Sequence, residues 1–212
     1  MDDSGKFDVT ITEDPSSTLE NAEGLKDVQL FFLDYCGPEW SESAKANFEA
    51  SVSGGTGVTV LHGSDNAFPG WVEYEKMLGL SHRHSQGSGH GDFHEFEVVI
   101  KDHEHPITRN LANFKIHDEL YHKLLHLHGA AYHLLATAYS DPDKGGTGEH
   151  EPILITTRYG QGRVFHTTLG HVWPHDFGNA EYKGASLIAF QNKGFQETLL
   201  RGCEWAATGA VD

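Results

Sequence analysis

Sixteen histidines stand against fifteen lysines and arginines together in this chain of 212 residues. Imidazole titrates near neutral pH and ligates divalent metals, so such an excess points to metal binding or proton transfer for some of them. Two of these histidines close apolar, β-branched runs. His62 ends "TVLH" and His171 ends "RVFHTTLGH". In "HGDFH", His90 and His94 lie four residues apart, the spacing that puts two imidazoles on one helix face for zinc. The glycines around them favour a loop instead, where spacing alone carries little. "HDELYH" sets Asp118 and Glu119 beside Tyr121, which together offer a carboxylate ligand, a general base and a phenol donor. The same acidic pair also suits a helix start.

The remaining histidines have plainer readings. His166 shares a strand face with Val164 and Thr168, which makes it a hydrogen-bonded core histidine. His82 and His84 are expected in solvent, His105 opens a turn where imidazoles bond to backbone, and His117, His126, His128 and His133 read as surface or packing residues.

Elements that position these groups follow from periodicity. Residues 6–11 ("KFDVTI") and 27–35 ("DVQLFFLDY") read as strands, the second as one buried on both faces. A helix follows, with Ser41 or Ser43 as its cap, Ala44, Phe48 and Val52 at helical spacing, and Gly54-Gly55 as its stop. "GVTVLHG" is a third strand and "GWVEYEKMLGL" a short helix. Residues 81–96 are an aperiodic His/Gly/Ser-rich loop of the length that carries function. "EFEVVIK" and "YHLLATAYS" are strands, "HDELYHKLLHL" is either a short helix or extended, and "PILITTRYGQGRVFHTTL" is a hairpin. A helix closes the chain over about residues 185–205. Alternating strands and helices predict a mainly parallel α/β sheet with helices on both faces. Such sheets take ligands beyond their strand ends, where His62 and His171 would meet.

Composition narrows the class. Length fits a single domain over residues 1–212. A net charge of −16 repels phosphate backbones, so nucleic acid is not an expected partner. No long apolar run suggests a membrane span, the start is acidic and polar, and two distant cysteines fit a reducing, cytoplasmic setting. No phosphate-binding glycine fingerprint, Gly-x-Ser-x-Gly elbow or Cys-x-x-Cys pair is present.

"LHGSDNAFPGWVEYEKMLGL", "HPITRNLANFKIHDELYHKL", "ATAYSDP", "EPILITTRYGQGRVFHTTLGH" and "GCEWAA" together resemble, in order, the ThuA-like trehalose-utilisation family. The resemblance implies a flavodoxin-like α/β fold related to class I glutamine amidotransferases, and a role in sugar catabolism with keto-sugars as substrates. It singles out His90, fifteen residues before His105. It also implies a strand and helix ahead of "KFDVTITEDPS". That first βα unit is expected to be lacking here, leaving a sheet edge that a second copy covers. The relatives' nucleophilic cysteine has no counterpart in "VLHGSDNAF", so glutamine hydrolysis is not expected.

These readings combine into one expectation. His62, His90, His94 and His171 hold a divalent ion, Zn²⁺ first with Mn²⁺ or Fe²⁺ as alternatives. Glu119, Asp118 and Tyr121 do the chemistry, and Asn66, Trp71 and Trp173 bind a sugar or keto-glycoside that is isomerised, cleaved by elimination or hydrolysed. The alternative is a non-catalytic sugar-binding or accessory subunit on the same fold.

Overall fold

The computed structural model describes residues 4–172 and 187–212. Residues 6–11 form no strand, and Ile11 is 86% exposed. Their alternation suits a strand, but the sheet offers them no neighbour. The first helix is α1 (Pro15–Glu20), capped by Asp14 accepting from Ser17 N. Strand β1 (Leu30–Leu33) is shorter and less buried than its apolar run predicts. Helix α2 (Glu42–Gly54) starts on Ser41, buries Ala44, Phe48 and Val52, and ends at Gly55, whose φ of +125° suits glycine. Strand β2 (Gly57–Leu61) is buried throughout, and α3 (Val72–Leu78) follows.

The presumed loop after Leu80 holds a two-residue strand, β3 (Gly89–His90). Next come β4 (His94–Ile100) and β5 (Phe114–Asp118). The "HDELYHKLLHL" segment is extended. Its β6 (Tyr121–His122) pairs antiparallel with β3 and sets His90 opposite Tyr121. Strands β7 (Tyr132–Tyr139), β8 (His150–Tyr159) and β9 (Gly162–Thr167) complete the sheet, and α4 (Lys193–Thr208) ends the chain.

Seven strands form one sheet in the order β1-β2-β9-β8-β7-β4-β5. Only β1–β2 and β2–β9 are parallel; the other four pairings are antiparallel, so the expected mainly parallel sheet is corrected. For β7, β8 and β9 the reason is connection length. Parallel neighbours need a crossover of a dozen or more residues, whereas β8 turns into β9 through a two-residue hairpin and β7 reaches β8 by a short glycine-rich connection.

Both faces are covered, as expected of an α/β layer. Val58, Val60 and Val164 face α2 and α3 in a core with Phe48, Tyr74 and Met77. Leu61 and Phe165 face α4 in a second core with Phe195, Leu199 and Trp205. Each fully buried aromatic contributes about 1.5–3 kcal/mol. Gly202 lets α4 approach closely, because a Cβ there would run into the Phe165 ring. Helix α4 touches β1, β2 and β9 and also β5, at the far edge of the strand order. The sheet therefore curls around α4 and brings the end of β5 back toward the end of β9.

Candidate functional site

His62 is the first residue after β2 and opens a 3₁₀ turn, His62–Asn66. Its φ is +33°, a left-handed conformation that is costly for a residue with a Cβ, about 1–2 kcal/mol. The turn is held from several sides. Ser64 Oγ accepts from Tyr35 N at 2.7 Å and donates to the Leu33 carbonyl at 2.9 Å. Tyr74 donates its hydroxyl to the Ser64 carbonyl at 2.8 Å. Strain held this firmly is a mark of functional positions.

The Nδ1 of His62 lies 2.6 Å from the Thr168 carbonyl, which can only accept. In the neutral ring the proton therefore sits on Nδ1 and Nε2 carries the lone pair, the arrangement in which histidine ligates a metal; in the charged ring Nε2 carries a second proton toward Glu119. That Nε2 lies 2.7 Å from His171 Nδ1 and 3.5 Å from Glu119 Oε2. Glu119 Oε2 is in turn 3.1 Å from His171 Nδ1. These three atoms form a cluster of metal-ligating type, mutually within 4.8 Å. Such proximity suits either a hydrogen on His171 Nδ1 directed at Glu119 Oε2 or His62 Nε2, or a metal ion among the three atoms.

One residue sets two of the three. Asp118, fully buried at the end of β5, accepts from Glu119 N at 2.8 Å, His171 N at 3.1 Å and Gly170 N at 2.7 Å. Burial pushes its carboxyl above the usual range, against the pull of His62 and the three N–H groups. Burial also works against the charges of His62 and Glu119 and is overcome. The Glu119 hydrogen bond, the Asp118 charge and the Thr168 carbonyl raise His62 above its ordinary value. Hydrogen bonds to His171 and His62 lower Glu119 to about 2.

The other expected residues divide. Tyr121 stacks on His62, centroids 4.4 Å apart, and its hydroxyl accepts from Asn66 Nδ2 at 3.2 Å, so both line the trio. His90 stands beside it, its Nδ1 3.2 Å from Glu119 Oε1 and 2.8 Å from the Gly91 carbonyl, half in solvent. It approaches the free oxygen of Glu119, whereas the cluster uses the other. His94 begins β4 and its Nδ1 meets the Asp92 carbonyl at 2.6 Å, apart from the cluster. Trp71 is 9% exposed among Trp40, Phe48, Phe68 and Tyr74, with Nε1 donating to Glu49. It edges a surface hollow of about 530 Å³ that shares no residue with the trio. Trp173 lies outside the described residues.

His105 accepts from Ile107 N, and His166 Nδ1 meets the Leu78 carbonyl, the backbone-bonded roles their positions suggest. His84 is exposed, but His82 is buried, 6% accessible, which corrects its expected place in solvent. The polar "SHRHS" run gives no sign of this. Asp65 captures the His82 backbone, and Arg83 is clamped on Glu75, so the segment folds inward.

The trehalose-utilisation family model, ThuA, matches residues 1–206. The chain belongs to the ThuA family. A ThuA-like protein of Parabacteroides merdae has a similar structure, with a TM-score of 0.85 and 33% identity, covering 99% of this chain and 82% of its own. A ThuA-like protein of Bacteroides uniformis (TM-score 0.66, 18% identity, 96% and 80% covered) shares the fold. So does a cytoplasmic protein of Salmonella typhimurium (TM-score 0.62, 11% identity, 97% and 83% covered). No curated protein matches the chain. Membership ties this ThuA chain to trehalose utilisation and carbohydrate metabolism. Among the described residues no helix is long and apolar enough to cross a membrane.

Proposed function

We propose that this ThuA protein is a metal-dependent enzyme of carbohydrate catabolism that acts on a keto-sugar or keto-glycoside. The observation that carries the reading is the convergence of His62 Nε2, His171 Nδ1 and Glu119 Oε2. Ligand atoms around a tetrahedral ion with bonds of 2.0–2.1 Å lie about 3.3 Å apart. The separations of 2.7, 3.1 and 3.5 Å bracket that value. Two imidazoles and one carboxylate suit Zn²⁺ and also accept Mn²⁺ or Fe²⁺.

A bound ion would supply polarisation of a substrate carbonyl or hydroxyl. The chain's own groups do the rest. His62 is fixed in one tautomer by Thr168, and Asp118 holds Glu119 and His171 in register. Glu119 Oε1 and the half-exposed His90 form a pair through which a proton can pass between the sugar and solvent. The Tyr121 hydroxyl and Asn66 amide present donors to sugar oxygens, and the Tyr121 ring backs His62. Proton removal beside a polarised carbonyl supports isomerisation, epimerisation or β-elimination. A cytoplasmic setting fits the reading, since the Salmonella typhimurium neighbours are described as cytoplasmic.

One observation favours a second reading. The 2.7 Å between His62 and His171 is a hydrogen-bond distance, which suits a proton shared by a metal-free relay. Elemental analysis before chelation and again after chelation, dialysis and metal re-addition, with turnover of keto-trehalose and related keto-glycosides at each stage, separates the two. The metal reading expects one Zn²⁺, Mn²⁺ or Fe²⁺ per chain, with turnover lost on chelation and restored on re-addition. Turnover in protein that binds none of these ions overturns it.

A further inference from the structure

We propose that His82 is a sugar-binding residue of this site, its imidazole reserved for a substrate hydroxyl. The proposal rests on the reading of the site as one that handles a sugar. His82 is 6% accessible, and both of its ring nitrogens are buried without a hydrogen-bond partner. A buried polar group left unpaired is costly, so such groups are rare and call for a reason. Poor packing is not the reason here, because the backbone of this residue is fixed on both sides. Its N–H donates to Asp65 Oδ1 at 2.9 Å, and its carbonyl accepts from Arg83 Nη1 at 2.7 Å. Arg83 is itself buried and pinned to Glu75 and to the Asp65 carbonyl. The ring is thus held in place by everything except its own polar atoms.

Its position gives the unpaired nitrogens a use. The His82 ring packs against Tyr121, centroids 4.6 Å apart, and Tyr121 packs against His62 at 4.4 Å. His82 is therefore joined to the His62–Glu119–His171 cluster through one aromatic ring, the ring whose hydroxyl Asn66 holds. Burial lowers its pKa, so the imidazole is neutral at pH 7 with one donor and one acceptor. A sugar hydroxyl both donates and accepts and satisfies either nitrogen. Two other buried orphans nearby, Asp65 Oδ2 and His166 Nε2, lie 3.5 Å apart and face each other, so they do not compete for this role.

His82→Phe keeps the ring against Tyr121 and removes both nitrogens. Zn²⁺ binding, thermal unfolding and calorimetric titration with a methyl keto-glucoside and with trehalose form the test. Expected are unchanged Zn²⁺ binding, an equal or higher unfolding midpoint, and a loss of sugar affinity of about tenfold or more, the scale of one buried hydrogen bond. Wild-type sugar affinity in His82→Phe overturns the proposal while leaving the sugar reading intact. Should His82→Phe not fold, ¹⁵N-histidine spectra of the wild-type protein decide. The His82 ring signals shift on adding the keto-glucoside if the proposal holds, and their staying fixed in the sugar-bound protein overturns it. Wild-type protein that binds neither sugar overturns the proposal and the sugar reading together. Weakened sugar binding by His82→Phe in a protein that takes up no metal supports the proposal and removes only the metal.

Discussion

Replacing Asp118 with asparagine preserves its shape and deletes one acceptor, which makes it a sharp probe of how the site is held. One carboxylate oxygen takes Glu119 N and His171 N; the other takes Gly170 N. An amide must aim its NH₂ at one of these donor sets. The less damaging rotamer keeps the first two bonds and sets the NH₂ against Gly170 N. A charge-assisted bond, about 1.5–3 kcal/mol, is then lost, and a buried donor is stranded at a further ~1–3 kcal/mol. Because Gly170 can shift slightly, the two do not add in full, and a loss of about 2–4 kcal/mol is expected. For a chain of this length that lowers the unfolding midpoint by roughly 5–15 °C. Glu119 and His171 also lose their common anchor. Loss of a group that orients ligands weakens metal binding by about 10–100-fold. Urea unfolding followed by tryptophan fluorescence reads the first effect, and competition against a Zn²⁺ indicator reads the second. A variant with wild-type urea midpoint and wild-type Zn²⁺ affinity would refute the assignment of Asp118 as the positioning residue.

Two further outcomes are expected. Glu75 accepts from Arg83 and Gly70 and pairs with His128. These contacts outweigh its burial and hold it below its ordinary value of 4.5. A depressed carboxylate stabilises the fold fully above its unfolded pKa and loses that contribution as pH falls through the folded one. Urea midpoints should therefore drop below about pH 4.5 in the wild type and more shallowly in Glu75→Gln; parallel curves would contradict the pairing. Strand β1 lies at one end of the strand order, and no described strand pairs with its outer edge. Self-association through this edge predicts a dimer or larger species by sedimentation, and a monomer at all concentrations would count against it.

Much of the scaffold was legible because local signals agreed. Helix α2 has a capping serine, three apolar residues at helical spacing and a glycine stop, and each does in the fold what its type suggests. The β8–β9 hairpin was equally plain, because its turn is written in adjacent residues. Residues 6–11 have the alternation of a strand but no partner, and pairing is not a local property. Sheet direction failed for a related reason. The strand–helix alternation of the first third does not continue: among the later described segments the strands follow one another without a crossover helix and pair antiparallel. His82 departs from the exposure its polar neighbours suggest, because Asp65 and Arg83 bury it through contacts distant in sequence.

The site itself was half legible, and the division follows the sheet. His62 and His171 follow β2 and β9, which are adjacent and parallel, so their meeting follows from the ligand-at-strand-end rule. Glu119 follows β5, four places from β9 in the strand order, and a flat sheet would keep it far from both histidines. Curling around α4 closes that distance, and Asp118 fastens it by bonding directly to the Gly170–His171 backbone. Neither curvature nor that bond can be read from spacing, because both join segments far apart in sequence: α4 seats against Phe165 at Gly202, and Asp118 meets Gly170 and His171 more than fifty residues on. The strained φ of His62 belongs to the same argument. A turn that relaxed to an ordinary φ would redirect the imidazole, so the hydrogen bonds around Ser64 and Tyr74 hold the cluster together as much as its three side chains do.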